Sequence, residues 1–190
     1  MKKHIRLLSA LILLALTLTA CESGKWQGDI SNLDPGWIQH QYDLIDEAQA
    51  VLDENPEDED ALLEIGFRYY ELEDYKKAEK YYKKVLEVNP NNMVAITNLA
   101  SVYEKVEEYE LAAENIMIYF QSNQGSSEAV RDAVRILLKN DDPDNAEIAL
   151  NAFVDSTRDA GSNSAEGYQA FISGLKDDIY NYKVEHGLVQ

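Results

Sequence analysis

The chain holds one cysteine, Cys21, within the stretch Leu-Thr-Leu-Thr-Ala-Cys-Glu-Ser. A lone cysteine cannot close an intramolecular disulfide, so its thiol is left to act as a nucleophile, a ligand or a point of attachment. Its neighbours narrow the choice. Lys2, Lys3 and Arg6 form a basic head, and Leu7 to Leu18 is nearly all Leu, Ile and Ala, interrupted by Ser9 and Thr17. Small residues, Thr19 and Ala20, precede the cysteine. That order is the order of a secretory signal. The apolar run is about a dozen residues, against the roughly 20 that a spanning helix needs. Removal of the segment is therefore expected, rather than retention as a membrane span.

Leu18-Thr19-Ala20-Cys21 resembles the lipobox of bacterial lipoproteins. The resemblance implies a signal peptide over residues 1–20, cleavage just before Cys21, a diacylglycerol on its sulfur and usually an acyl group on the new amine. Two or three acyl chains hold a protein on a membrane stably, since each buried methylene contributes about 0.8 kcal/mol. Cys21 is then an anchor and not a nucleophile. The resemblance also places the chain on the outer side of the inner membrane. With Glu22 after the cysteine, rather than the Asp that commonly retains lipoproteins there, it points to the outer membrane facing the periplasm in a diderm cell.

Other residues offer little catalytic chemistry. His4 leaves with the signal, so His40 and His186 remain, each far from any motif partner. There is no His-Glu-x-x-His, no phosphate-cradling glycine loop and no nucleophile elbow. Carboxylate pairs occur throughout an acidic chain and so diagnose nothing. Asn140, Asp142 and Asp144 resemble the start of a calcium loop, but Asn145 stands where the turn glycine belongs and Asn151 where the closing Glu belongs. That segment is read as a solvated acidic turn. The expectation is a protein without enzymatic activity and without a cofactor or metal.

The formal charge is −18 over 190 residues, and loss of Lys2, Lys3 and Arg6 takes it to −21. Such a chain repels nucleic-acid phosphates, so no nucleic-acid partner is expected. About 170 residues after the signal suffice for one domain with a real core. Residues 21–36 are polar and glycine-containing, and read as a lipidated tether.

The elements that position any binding residue come from a repeat. Gly66, Ala100 and Val134 stand 34 apart, as do Tyr69, Tyr103 and Leu137, then Ala78, Ala112 and Ala146, then Tyr82, Ile116 and Leu150. Asn55-Pro56 recurs as Asn89-Pro90. Within each copy apolar residues recur at three- and four-residue steps, which gives two amphipathic helices per copy. Asp74, Glu108 and Pro143 open the second helices, where an acid suits the dipole and Pro suits the first turn. The period predicts helices near 58–72, 75–88, 92–105, 109–122, 126–139 and 143–158. This pattern is similar to that of the tetratricopeptide repeat (TPR). The resemblance implies an all-α fold: a right-handed TPR-like α-solenoid of about three helix-turn-helix repeats over 57–160. Residues 37–56 read as an N-terminal capping helix, aligning Leu44 and Ala48 with Ala78 and Tyr82. Residues 161–190 read as a C-terminal capping helix and tail, with a stripe of Ala165, Tyr168, Ile172, Leu175, Ile179 and Tyr182.

In that family the concave groove, lined by first helices, takes a peptide or a partner helix. The candidates here are Leu63, Glu64, Phe67 and Tyr70, then Thr97, Asn98 and Ser101, then Arg131 and Arg135. Phe67 and Tyr70 read as aromatic anchors or as packing against the neighbouring repeat. Arg131 and Arg135, one turn apart, read as a carboxylate grip or as partners of Asp132 and nearby acids. Leu63 and Phe67 stand where a carboxylate-clamp version of the repeat carries Lys and Asn, so chaperone-tail binding is not expected. Lys76, Lys77, Lys80, Lys83 and Lys84 crowd one second helix, as a solvated face or a surface for anionic lipid or an acidic partner. The whole reads as a membrane-anchored TPR lipoprotein, an adaptor or assembly factor of the bacterial cell envelope that binds another envelope protein or peptide. The alternatives are a pilotin-like or secretion or pilus assembly lipoprotein, and a lipid-facing structural lipoprotein.

Overall fold

The computed structural model describes residues 24–158 and 166–189. The expected signal, Cys21, Glu22 and Ala165 lie outside the described residues. Eight helices are described: α1 Pro35–Glu54, α2 Glu59–Glu71, α3 Tyr75–Val88, α4 Met93–Lys105, α5 Tyr109–Ser122, α6 Ser127–Lys139, α7 Pro143–Arg158 and α8 Glu166–Glu185. No strand occurs among the described residues, and no described helix is long and apolar enough to cross a membrane. The fold is an all-α, TPR-like arrangement of helix pairs. They gather into two compact units that divide between Pro90 and Asn91.

In the first unit α2 and α3 form an antiparallel pair with α1 against α2. Ile45, Ala48 and Leu52 of α1 are buried, with Leu62, Ile65 and Leu72, and Ala78, Tyr82 and Val85. Leu44, aligned with the buried Ala78, is only half-buried, because α1 packs mainly on α2. In the second unit α4 pairs with α5 and α6 with α7, and α8 covers α7 through Ile172, Leu175 and Ile179. Tyr168 of α8 stacks on Phe153 of α7 and Phe171 meets it edge-on, with ring centroids 5.7 and 5.8 Å away.

The period of the sequence is written into the helix ends. Asp58, Asn92 and Ser126, 34 apart, cap the first helices by accepting from the N–H groups of Ala61, Ala95 and Ala129 at 3.0, 3.0 and 3.2 Å. Each first helix ends in the same αL turn. Asp74, Glu108 and Asp142 donate their N–H to the carbonyls of Tyr69, Tyr103 and Leu137 at 2.9, 2.8 and 2.9 Å. The residue before each has positive φ: Glu73 at 53°, Glu107 at 59° and Asp141 at 58°. The third copy, weak in its core signature, keeps both devices and folds as a full helix pair. The acidic stretch from Asn140 is that turn. Asp142 accepts from the Asn145 N–H at 3.1 Å, and Asp141 accepts from the Tyr182 hydroxyl at 2.5 Å.

The tether differs from a free linker. Gln27 bridges to Asp74, and the Gly28 N–H donates to the Glu73 carbonyl at 2.9 Å. The αL turn leaves that carbonyl without a helical partner, so the passing chain takes it up.

Candidate functional site

The candidate residues fall on first helices of both units. In the first unit Glu64 lies one turn before Arg68, whose Nε donates to it at 2.7 Å. Arg68 also donates to the buried Gln41 of α1 at 3.1 Å, so Glu64 belongs to a network that ties α2 to α1. The Tyr70 ring meets Tyr75 edge-on at 5.7 Å, which is packing against the second helix of its own repeat. Phe67 stays exposed with the Arg68 guanidinium 4.9 Å from its ring centroid, and Leu63 is half-buried.

In the second unit Thr97, Asn98, Ser101 and Arg135 come together. They line a groove of about 390 Å³ with Met93, Val94, Tyr119 and Asp132. Polar and apolar side chains share its lining, and Val94 among them is 54% exposed. The Thr97 hydroxyl donates back to the Met93 carbonyl at 3.0 Å and the Ser101 hydroxyl to that of Thr97 at 3.1 Å. Both oxygens keep lone pairs for a ligand N–H. The Asn98 amide lines the groove with no hydrogen-bond partner among the described residues.

The two arginines do not act as one grip. Arg135 binds Glu104 and, at 3.2 Å, Asp132; Lys139 donates to Glu104 at 2.8 Å. Burial pushes the Glu104 carboxyl up, but Lys139 and Arg135 outweigh it and hold it below the usual carboxylate range. Arg131 turns to α8, its guanidinium 5.2 Å from the Phe171 ring centroid. It lines a separate cleft of about 530 Å³ with Leu138, Leu175 and Tyr182. Sequence reasoning that admitted only first-helix residues missed Tyr119 of α5. It also passed over Val94, whose exposure shows only once α4 is placed.

Residues 60–92 match a family model of the tetratricopeptide repeat, and residues 81–114 match a second. The chain carries tetratricopeptide repeats. Among solved structures, MamA aligns with a TM-score of 0.53 at 15% identity, over 76% of this chain and 90% of that chain. A MamA RS-1 ArsTM double mutant aligns with a TM-score of 0.55 at 17% identity, over 80% and 97%. At these identities the likeness shows the TPR-like fold alone. A comparison with curated protein sequences finds no significant match. The third helix pair lies beyond the matched TPR segments, yet it repeats their capping geometry.

Proposed function

We propose that the chain is a membrane-anchored TPR lipoprotein that works as a protein-interaction adaptor or assembly factor in the bacterial cell envelope. The observation that carries the binding reading is the groove of residues 93–136, where the open Asn98 amide stands beside exposed Val94. It suits an extended or helical segment that sets an apolar side chain against Val94 and Tyr119 and hydrogen-bonds to Asn98. Glu128 and Asp132 on the rim outnumber Arg135, and the chain is strongly acidic, so the fitting segment is basic. The anchor reading rests on Cys21 and its flanks.

Two measurements test the two halves. Metabolic labelling with an alkyne fatty acid, followed by gel shift, is expected to mark the chain and to fail for Cys21→Ser. Unlabelled wild type would remove the anchor. Capture from envelope extracts is expected to retain a partner that Asn98→Arg loses. A partner held equally by both would move binding out of the groove.

A further inference from the structure

Residues Trp26–Gly28 form a strap across the turn between α2 and α3. The Gly28 N–H donates to the Glu73 carbonyl at 2.9 Å and the Lys76 N–H to the Trp26 carbonyl at 3.3 Å. A Cβ at residue 28 would lie 2.7 Å from the Glu73 Cβ, so the backbone approach requires glycine. Lys76 Nζ stands 4.4 Å from the centre of the Trp26 ring. The strap therefore fastens the start of α3 to a residue five positions beyond Cys21. A chain extended at roughly 3.6 Å per residue covers about 18 Å over that distance. Whatever holds Cys21 holds the start of α3 near it.

One face of α3 is cationic. At about 100° per residue, Lys76, Lys77, Lys80, Lys83 and Lys84 share an arc of about 120°, with Glu87 the acid among them. Two other nearby carboxylates lie beneath ammonium groups, while Glu71 and Glu73 are half-buried before the helix. Glu79 is 10% exposed while its partners Lys76 and Lys83, at 3.0 and 2.7 Å, are 67% and 53% exposed. Asp74 is 17% exposed and Lys77, at 2.9 Å, is 51%. Apart from exposed Glu87, the outermost charged groups of this face are thus positive in a chain of formal charge −18.

We infer that the lysine face of α3, with Trp26 at its edge, rests on the anionic headgroups of the membrane that carries the chain. The inference depends on the anchoring of Cys21 proposed above. Ammonium groups are drawn to an anionic surface within about a Debye length, and an indole settles at headgroup depth. The strapped tether spans at most about 18 Å, so it lets the start of α3 come inside that range without enforcing it. The acidic remainder is repelled from the same surface, which sets the orientation of the first unit.

The test uses the full chain, processed in bacterial cells, with Trp37→Phe to leave Trp26 as the only tryptophan. It is reconstituted into phosphatidylcholine vesicles with and without phosphatidylglycerol, carrying lipids brominated near the carbonyl. Flotation with the vesicles reads the anchor, and quenching of Trp26 reads the contact. Quenching is expected to be several-fold stronger with phosphatidylglycerol, and to fall in high salt and in Lys80→Glu/Lys84→Glu. Lys80 is exposed and Lys84 half-buried, and the salt arm needs no variant. A chain that fails to float sinks the anchor reading. A chain that floats while quenching is absent, or is indifferent to phosphatidylglycerol and salt, overturns the inference and leaves the anchor standing.

Discussion

Gly66 lies inside α2, where glycine costs about 1 kcal/mol relative to alanine when nothing else decides. On propensity alone Gly66→Ala should stabilise. The structure reverses the sign. A Cβ there would meet Cε1 and Cδ1 of Tyr82 at 2.6 and 2.8 Å. Tyr82 is 1% exposed and cannot swing its ring aside. Relief requires a shift of α2 against α3, and overpacking of this kind costs about 1–3 kcal/mol. Two ring atoms inside 3.0 Å put the cost toward the upper end, so the net loss is about 1–2 kcal/mol. Gly174 provides the opposite case, in α8 with nothing within 4 Å of its Cβ position. Gly174→Ala should gain most of the propensity term, about 1 kcal/mol. Urea melts followed by far-ultraviolet circular dichroism read both. Tyr82→Leu should couple favourably to Gly66→Ala, so that the double variant loses less than the sum of the singles. A Gly66→Ala midpoint that rises with that of Gly174→Ala would refute the steric argument.

Further expectations follow from the turns and the strap. Glu107, exposed at φ 59°, should gain about 0.5–1 kcal/mol as Glu107→Gly, read from the same melts. Asp141→Gly should gain less or lose, because it removes the bond from Tyr182. Gly28→Ala should release the strap and shift Trp26 emission to the red in a Trp37→Phe background; unchanged emission would contradict the close approach. Glu79 is held below the ordinary carboxylate value of 4.5: burial raises it, and the bonds from Lys83 and Lys76 outweigh burial. Its contribution to stability is present above that value and lost as pH falls through the lower folded one. Glu79→Gln should therefore flatten the acid limb of stability below about pH 4.5, with an equally steep limb counting against the pairing.

Much of the helical framework was legible because the period is carried by backbone requirements as well as by side-chain size. The small column Gly66, Ala100, Val134 grows as its partner column Tyr82, Ile116, Leu150 loses the aromatic ring. That trade can be read from residue types alone. Helix ends were legible for a similar reason: Asn55 and Asn89 before Pro close helices, and Asp74 opens one. The αL positions were not, because Glu73 and Glu107 occupy places that favour glycine. The strap was hidden because its hydrogen bonds run backbone to backbone, which leaves Gly28 and the Trp26–Lys76 contact as its traces. The groove was half legible. Asn98, Thr97, Ser101 and Arg135 converge as the repeat implies, but residue type could not show that Arg131 would turn to Phe171 or that Tyr70 would pack on Tyr75.

The groove beside Asn98 is proposed to bind a protein. The most direct test is photo-crosslinking in living cells, with a benzophenone amino acid replacing Val94 in the groove or Ile148 on α7. Ile148 is 60% exposed and does not line that groove, so it reports surface collisions. One discrete adduct is expected from position 94 that Asn98→Arg abolishes, and none of that mass from position 148. The same adduct from both positions, or an adduct at 94 that survives Asn98→Arg, would contradict the proposal.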